Sequence, residues 1–310
     1  MKTALYTHPL CLQHEMGTHH PEKPERIQVI LDKLVSAGTA EHLLYIEAPE
    51  AEIADIARVH VHDMIEDARL NIPDPGRYSH LGGTLMNAYT WKAALRAAGA
   101  AVAATDATIK GEIKNAFCLV RPIGHHSTAS IASGFCIFNN AAIAAMRAVA
   151  VHGLERVVII DTDVHHGDGT EDIFKTEPRV MMVSFFQEFL FPFTGNERQR
   201  DNMVNVPVPG GTDGTRIRQV VNDIWLPALN AFRPEMIFIS SGFDAHRDDP
   251  LGGMMLTHED YAWIALQLVN VAEEHSQGRI VSFMEGGYNL EALALCANAH
   301  IRTLAGLPLE

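Results

Sequence analysis

The sequence predicts an α/β protein in three layers, with a central, mostly parallel sheet and helices on both faces. Two observations carry that expectation. Short, continuously apolar runs alternate with longer segments of helical periodicity, the pattern of strand–helix–strand units. Clusters of polar residues then stand at the carboxyl ends of the apolar runs, where open parallel sheets bind their ligands.

In chain order, the first element is a helix over 24–37. Ile27, Ile30, Leu31 and Leu34 recur there at i, i+3, i+4 and i+7, and Gly38 supplies a stop. The Ala-rich segment 90–109 is a strong helix former. "NAFCLV" (115–120) reads as a buried strand, and a helix over 139–152 follows. "RVVIID" (156–161) and "RVMMVSF" (179–185) are the next strands. Helix 213–231, strand "EMIFISSG" (235–242), helix 258–275, strand "RIVSFMEGG" (279–287) and helix 289–305 complete the alternation. Segments 8–23, 71–90, 121–135 and 186–214 are rich in Pro, Gly or polar residues and read as long loops, which in compact domains are often functional. No internal repeat, low-complexity tract or linker interrupts the chain, so residues 1–310 are expected to form one domain.

Composition narrows the function. Hydrophobic residues make up 47% of the chain and charged residues 20%, as in ordinary globular proteins. The net charge of −14 leaves no basic stripe for phosphates; it argues against a nucleic-acid partner and suits cationic substrates. Cys11, Cys118, Cys136 and Cys296 lack CxxC spacing and read as reduced thiols of a cytoplasmic protein. The opening "MKTALYTH" has no signal-peptide pattern, and no apolar stretch reaches membrane-spanning length, so no membrane partner is expected. A homo-oligomer stays open.

The run "DTDVHHGDGT" places many ionisable groups after a buried strand. Asp163 and His165 are two apart, so in extended chain they point the same way. Asp244, in "GFDAH" after another strand, can supply a third ligand. Two carboxylates and one imidazole leave an open position, which suits a catalytic zinc rather than a closed structural one. Helix capping is the competing explanation, and it is a real one for Asp168. It is poor for the Asp–x–Asp–x–His run, because buried carboxylates are costly without a cation or donors. Adjacent His125 and His126 diverge in direction and fit acid–base work better than metal binding. Each then needs a carboxylate behind its far nitrogen, and Asp161 and Asp168 are the two acids of the run left for that role. Taken alone, the pair reads more readily as histidines bonded to backbone in a turn. Tyr288 follows Gly286 and Gly287, and its hydroxyl, facing a metal, can donate to a developing oxyanion. By itself it is more often a core or interface tyrosine.

Taken together, "HHPEKPERI", "RPIGHH", "GFCIFNN", "DTDVHHGDGT", "SSGFDAH…DPLGG" and "EGGYNL" resemble the zinc-dependent histone deacetylase family, from about residue 14 to 290. That family includes bacterial histone deacetylase-like amidohydrolases and acetylpolyamine amidohydrolases. The resemblance implies the arginase–deacetylase fold and one zinc held by Asp163, His165 and Asp244. It implies His126 as general base paired with Asp168, His125 as its electrostatic or acid partner paired with Asp161, and Tyr288 as the carbonyl-polarising donor. Gly134, Phe135, Phe191, Leu251 and Gly286 fall at substrate positions, with Phe135 and Phe191 as opposite walls of an acyl-lysine tunnel. A structural potassium is implied at Asp161, Ser184 and Phe185, with the backbone of Asp163 and His165. Relatives often carry an acidic residue where this chain has Leu81, Gly82 and Gly83. Leu251 resembles the lysine-deacetylase version of a position that is acidic in some polyamine-specific relatives. The expected function is removal of acetyl or acyl groups from lysine side chains in peptides or proteins. An acetylpolyamine or other small amide or ester hydrolase is the first alternative, and an inactive acyl-lysine binding protein the second. The compact chain suggests a bacterial enzyme.

Overall fold

The computed structural model describes residues 1–196 and 200–309. Its strands are β1 (Thr3–Thr7), β2 (Leu43–Glu47), β3 (Ser79–Leu81), β4 (Thr84–Met86), β5 (Ala116–Cys118), β6 (Val157–Asp161), β7 (Val180–Gln187), β8 (Met203–Val208), β9 (Met236–Ser241) and β10 (Ile280–Met284). The helices are α1 (Glu25–Ser36), α2 (Ile53–Ile56), α3 (His62–Leu70), α4 (Thr90–Ile109), α5 (Asn140–Ala150), α6 (Asp168–Phe174), α7 (Gly214–Val220), α8 (Leu226–Phe232), α9 (His258–His275) and α10 (Leu290–Leu304). Strands β3 and β4 form a small antiparallel hairpin. The other eight form one sheet in the order β2-β1-β5-β10-β9-β6-β7-β8, parallel at every pairing.

The five strands expected from apolar runs are five consecutive members of this sheet, β5-β10-β9-β6-β7. Residues of β5, β6, β9 and β10 are buried throughout, as strands covered on both faces must be. Helices α4 and α5 pack together, as do α1, α9 and α10, and these are the two outer layers. The α/β/α arrangement is therefore the one the alternation predicts.

Strands that the pattern did not reveal lie outside that central set. β8 alternates in burial and carries Pro207, which is tolerated on an edge strand because it has no N–H to donate. β2 exposes Leu44 and Tyr45 at the opposite edge. The expected helix 213–231 is α7 and α8 joined by a π-helical turn at Val221–Trp225. Pro227 supplies no N–H to the turn before it, and the helix loosens there. The expected loop 71–90 contains the β3–β4 hairpin, and 186–214 contains β8.

Topology gathers the polar motifs. "RPIGHH" follows β5, "EGGY" follows β10, "GFDAH" follows β9 and "DTDVHHGDGT" ends β6. These four strands are neighbours in the sheet, so all four motifs emerge on one rim.

Candidate metal centre and substrate tunnel

Asp163, His165 and Asp244 are brought together at that rim: one possible ligand atom from each lies within 4.8 Å of the others, and all three are buried. His165 Nδ1 stands 3.0 Å from Asp163 Oδ1 and 3.2 Å from Asp244 Oδ2. The electrostatics of the cluster are strongly perturbed. Burial, and then the facing Asp163 carboxylate, push Asp244 up to about 7. Burial alone would lower His165, but its hydrogen bonds to Asp163 and Asp244 push it up to about 10. Burial also works against the Asp163 carboxylate, yet His125 and His165 hold it well below the usual range. Two buried carboxylates thus crowd around one imidazole, and a divalent ion fits this O, N, O donor set. The backbone leaves room for it. A Cβ on Gly286 would collide with Asp244 Oδ2 and crowd Asp163 Oδ2, which explains the glycine in "EGGY". Gly286 N–H instead donates to Asp163 Oδ2 at 2.8 Å.

Both histidines find the carboxylates expected of them. His125 Nδ1 meets Asp161 Oδ2 at 3.0 Å, and His126 Nδ1 meets Asp168 Oδ1 at 2.7 Å. The rings lie 4.0 Å apart, centroid to centroid. Their environments push them in opposite directions. Burial would lower His125, but the carboxylates of Asp163 and Asp161 raise it well above its ordinary value. Burial and the neighbouring His125 charge lower His126 to about 4 despite Asp168. These surroundings favour the neutral, proton-accepting form of His126 and the cationic form of His125. Asp168 opens α6 without a side-chain cap to the helix, so the capping explanation gives way to the His126 contact.

These groups open into a cavity of about 390 Å³. His126, His165 and Tyr288 line it together with Phe135, Phe191, Gly134 and Leu251. Phe191 stands edge-on to His126 at 5.0 Å and to His165 at 6.3 Å; Phe135 is edge-on to Tyr288 at 6.0 Å. Phe135 has φ of +68°, a conformation that costs a bulky residue of order 1–3 kcal/mol and persists where the surroundings hold it. Of the expected substrate positions, Gly286 is not in the lining; it sits against the candidate ligand carboxylates of Asp163 and Asp244. Burial raises the Tyr288 phenol well above its ordinary value, so it remains a hydrogen-bond donor across the working pH range. Asp161 and Ser184 are register partners of β6 and β7, and the Ser184 hydroxyl donates to Asn205 Oδ1 at 2.8 Å. Phe185 is buried and stacked on Trp225.

Several residues escaped sequence reasoning. Ser133 and Leu190 complete the lining, together with Gly83 from the 81–83 segment already singled out in the sequence. Glu285, fully buried, accepts the N–H groups of Gly124 (2.8 Å) and His125 (3.2 Å), and burial pushes it up to about 7. Glu22 pairs with Arg26 at 3.0 Å and with Arg121, all three fully buried. Their signal was only their presence inside the polar motifs, because a charged residue's burial is decided by partners distant in the chain.

Comparison with known proteins agrees with this geometry. Residues 20–304 match the histone deacetylase domain. A "Probable deacetylase" of Archaeoglobus fulgidus is 35% identical over all of this chain and 88% of its own. A "Histone deacetylase-like amidohydrolase" of Pseudomonas aeruginosa is 35% identical over 99% of this chain and 87% of its own. The crystal structure of the HDA15 HD domain superposes with a TM-score of 0.90 at 33% identity, covering 100% of this chain and 91% of that one. With the sheet, the rim motifs and these matches in accord, the chain belongs to the histone deacetylase family, with its deacetylase and amidohydrolase members.

Proposed function

We propose that the protein is a zinc-dependent deacetylase that removes acetyl or other acyl groups from the lysine side-chain amine in peptides or proteins. The observation that carries this reading is convergence: His126, His165 and Tyr288 line one aromatic-walled cavity, with His125 packed against His126 and Asp163 and Asp244 clustered on His165 behind them. Asp163, His165 and Asp244 are the residues that would hold the ion. When bound, the metal supplies Lewis acidity, polarising an acyl carbonyl and acidifying water.

The chain's own groups then divide the work. His126 accepts the proton of the attacking water, and Asp168 fixes the tautomer that leaves Nε2 free to do so. Tyr288 donates to the oxygen that becomes negative as the carbonyl turns tetrahedral. His125, held cationic by Asp161, stabilises that charge, and a protonated histidine of the pair delivers a proton to the departing amine. Phe135 and Phe191 flank the apolar lysine stem and exclude water. A structural potassium at Asp161, Ser184 and Phe185, with backbone from Asp163 and His165, is part of the same proposal; the buried Asp161–Ser184 register pair supports it.

The tunnel wall favours a neutral acyl-lysine over an acetylpolyamine. Leu251, Phe135, Phe191, Leu190 and Gly83 contribute no carboxylate to receive a second ammonium. The test is hydrolysis of a fluorogenic acetyl-lysine peptide beside acetylputrescine and acetylspermidine, with a chelated control and Tyr288→Phe. Chelator- and Tyr288-dependent turnover of the peptide supports the proposal. Preference for the polyamines transfers it to that substrate class, and a zinc-loaded, folded protein inert on all of them refutes it in favour of an acyl-lysine binding protein.

A further inference from the structure

We infer that Asp249, in the "DPLGG" loop after the candidate ligand Asp244, is a positioning residue for Tyr288. This rests on the hydrolase reading for its kinetic consequences, but the geometry stands by itself. Asp249 is 7% exposed and spends its carboxylate on three backbone N–H groups. Oδ1 accepts from Leu251 at 2.9 Å. Oδ2 accepts from Tyr288 at 2.6 Å and from Asn289 at 3.2 Å. One side chain therefore ties a tunnel-wall residue to the backbone that carries the phenol.

The segment it holds has reason to need holding. Gly286 and Gly287 precede Tyr288, and Gly287 sits at φ of +125°, where only glycine rests without strain. Two glycines give the segment many alternative conformations. The structure grips it from two sides. Arg26 Nε donates to the Gly287 carbonyl at 2.7 Å, and its guanidinium lies 5.0 Å from the centre of the Tyr288 ring. Asp249 takes the N–H of the next residue from the other side. A cation on the carbonyl and an anion on the N–H fix the direction of the chain at the point where Tyr288 leaves it.

A simpler role, capping α10, does not account for these bonds. Asn289 already caps that helix, accepting from Ala292 N–H at 3.1 Å. Asp249 contacts residues 288 and 289, both before the first helical residue Leu290. A charge-assisted bond of 2.6 Å is also at the short, strong end for N–H donors.

The experiment is a double-mutant cycle with a spectroscopic arm. Tyr288→Phe, Asp249→Ala and the double variant are compared with wild type on the acetyl-lysine peptide, or on the acetylpolyamine if that is the substrate. Asp249→Ala is expected to lower kcat about tenfold to a hundredfold, the range a small misplacement of a catalytic group produces, with KM changed less than about threefold. In the Tyr288→Phe background the same substitution is expected to cost less than about threefold, because the group it places is gone. Asp249→Asn keeps one acceptor oxygen and is expected to recover part of the loss; it also carries the cycle if Asp249→Ala does not fold. Losses that multiply in the double variant would overturn the inference, since Asp249 would then act independently of the phenol. In 3-fluorotyrosine-labelled protein, the fluorine line that vanishes in Tyr288→Phe is expected to broaden and move on Asp249 substitution, while the lines of the other tyrosines, of six in the chain, hold. A Tyr288 line that stays sharp and in place would also overturn it. If wild type hydrolyses neither substrate class, the deacetylase reading has failed, and the fluorine line alone decides the role of Asp249.

Discussion

His125 and His126 are adjacent in sequence, share a motif and are both buried, yet they end with opposite proton affinities. The difference is the company each keeps. His125 faces Asp161 and Asp163, whereas His126 has Asp168 on one side and the His125 charge on the other. Separated affinities of this kind divide base from electrostatic partner. At this scale the substitutions have distinct expected signatures. Tyr288→Phe should lower kcat about a hundredfold to a thousandfold with little change in KM, because it deletes one oxyanion donor. Phe191→Ala should mainly raise KM, by about tenfold, since it removes an aromatic wall worth of order 1–2 kcal/mol of apolar contact. Steady-state kinetics on the acetyl-lysine peptide separate the two, and a Phe191→Ala loss confined to kcat would contradict a wall role. The residue types in the motifs are legible from the sequence alone, because carboxylates and histidines after a buried strand need a partner. Glu285 and Glu22 are not, because their donors, the Gly124–His125 backbone and Arg121, come from elsewhere in the chain.

Among the elements, the informative residue is Asn139. "GFCIFNN" is visible as a motif, but its reason is structural. Asn139 Oδ1 caps α5 by accepting from Ala142 N–H at 3.0 Å. Its Nδ2 reaches Ser127 O at 3.3 Å and Thr170 Oγ1 at 3.1 Å, joining the histidine loop to α6. Asn139→Ala should destabilise the protein by about 2 kcal/mol, the upper end for a lost N-cap, as two further bonds go with it. Urea denaturation measures this, and a cost below about 0.5 kcal/mol would mean the three bonds carry little. Strand detection follows the same logic of context. β6 and β9 announce themselves because burial on both faces demands a continuous apolar run. β2 and β8, half solvated at the edges, carry mixed patterns that periodicity alone does not separate from loop.

Taken whole, the molecule buries histidines that are not part of the site. His60 accepts Asn139 N–H at 2.9 Å and meets Thr128 O, and burial lowers it to about 4; burial likewise lowers His300 to about 4. Their folded affinities lie below the unfolded value, so between about pH 6.5 and 4 the unfolded chain binds more protons and stability falls as pH falls. For His60 the full effect is about 3 kcal/mol, from roughly 2.5 pH units of displacement. Asp244 and Glu285, raised to about 7, act in the opposite sense over this range, so the contribution is read as a difference: between about pH 7 and 4.5, His60→Gln should change the slope of stability against pH by about one proton, and an unchanged slope would refute the assignment. At neutral pH, adding zinc to stripped protein should raise Tm, because an ion that binds only the folded state contributes about 2.7 kcal/mol at a hundredfold excess over Kd. Asp244→Asn should remove most of that rise.

What the sequence determined by itself was the class of fold and a set of candidate reactive groups. Hydrophobic periodicity is local, and it reports burial wherever an element is covered on both faces. A buried run such as Asp161–His165 likewise declares that something must balance its charge. The motifs' resemblance to the deacetylase family added the roles, down to Phe191 as the expected wall residue. The same resemblance implied the pairings of His125 with Asp161 and His126 with Asp168; only the tertiary structure decided the proton affinities. It set β5, β10, β9 and β6 side by side, so that motifs from over 160 positions of chain share one rim. It also recruited Asp249, Glu285 and Arg26 to hold the backbone around them. Those contacts depend on distances between segments far apart in sequence, and a charged residue's partner is not encoded in its neighbours.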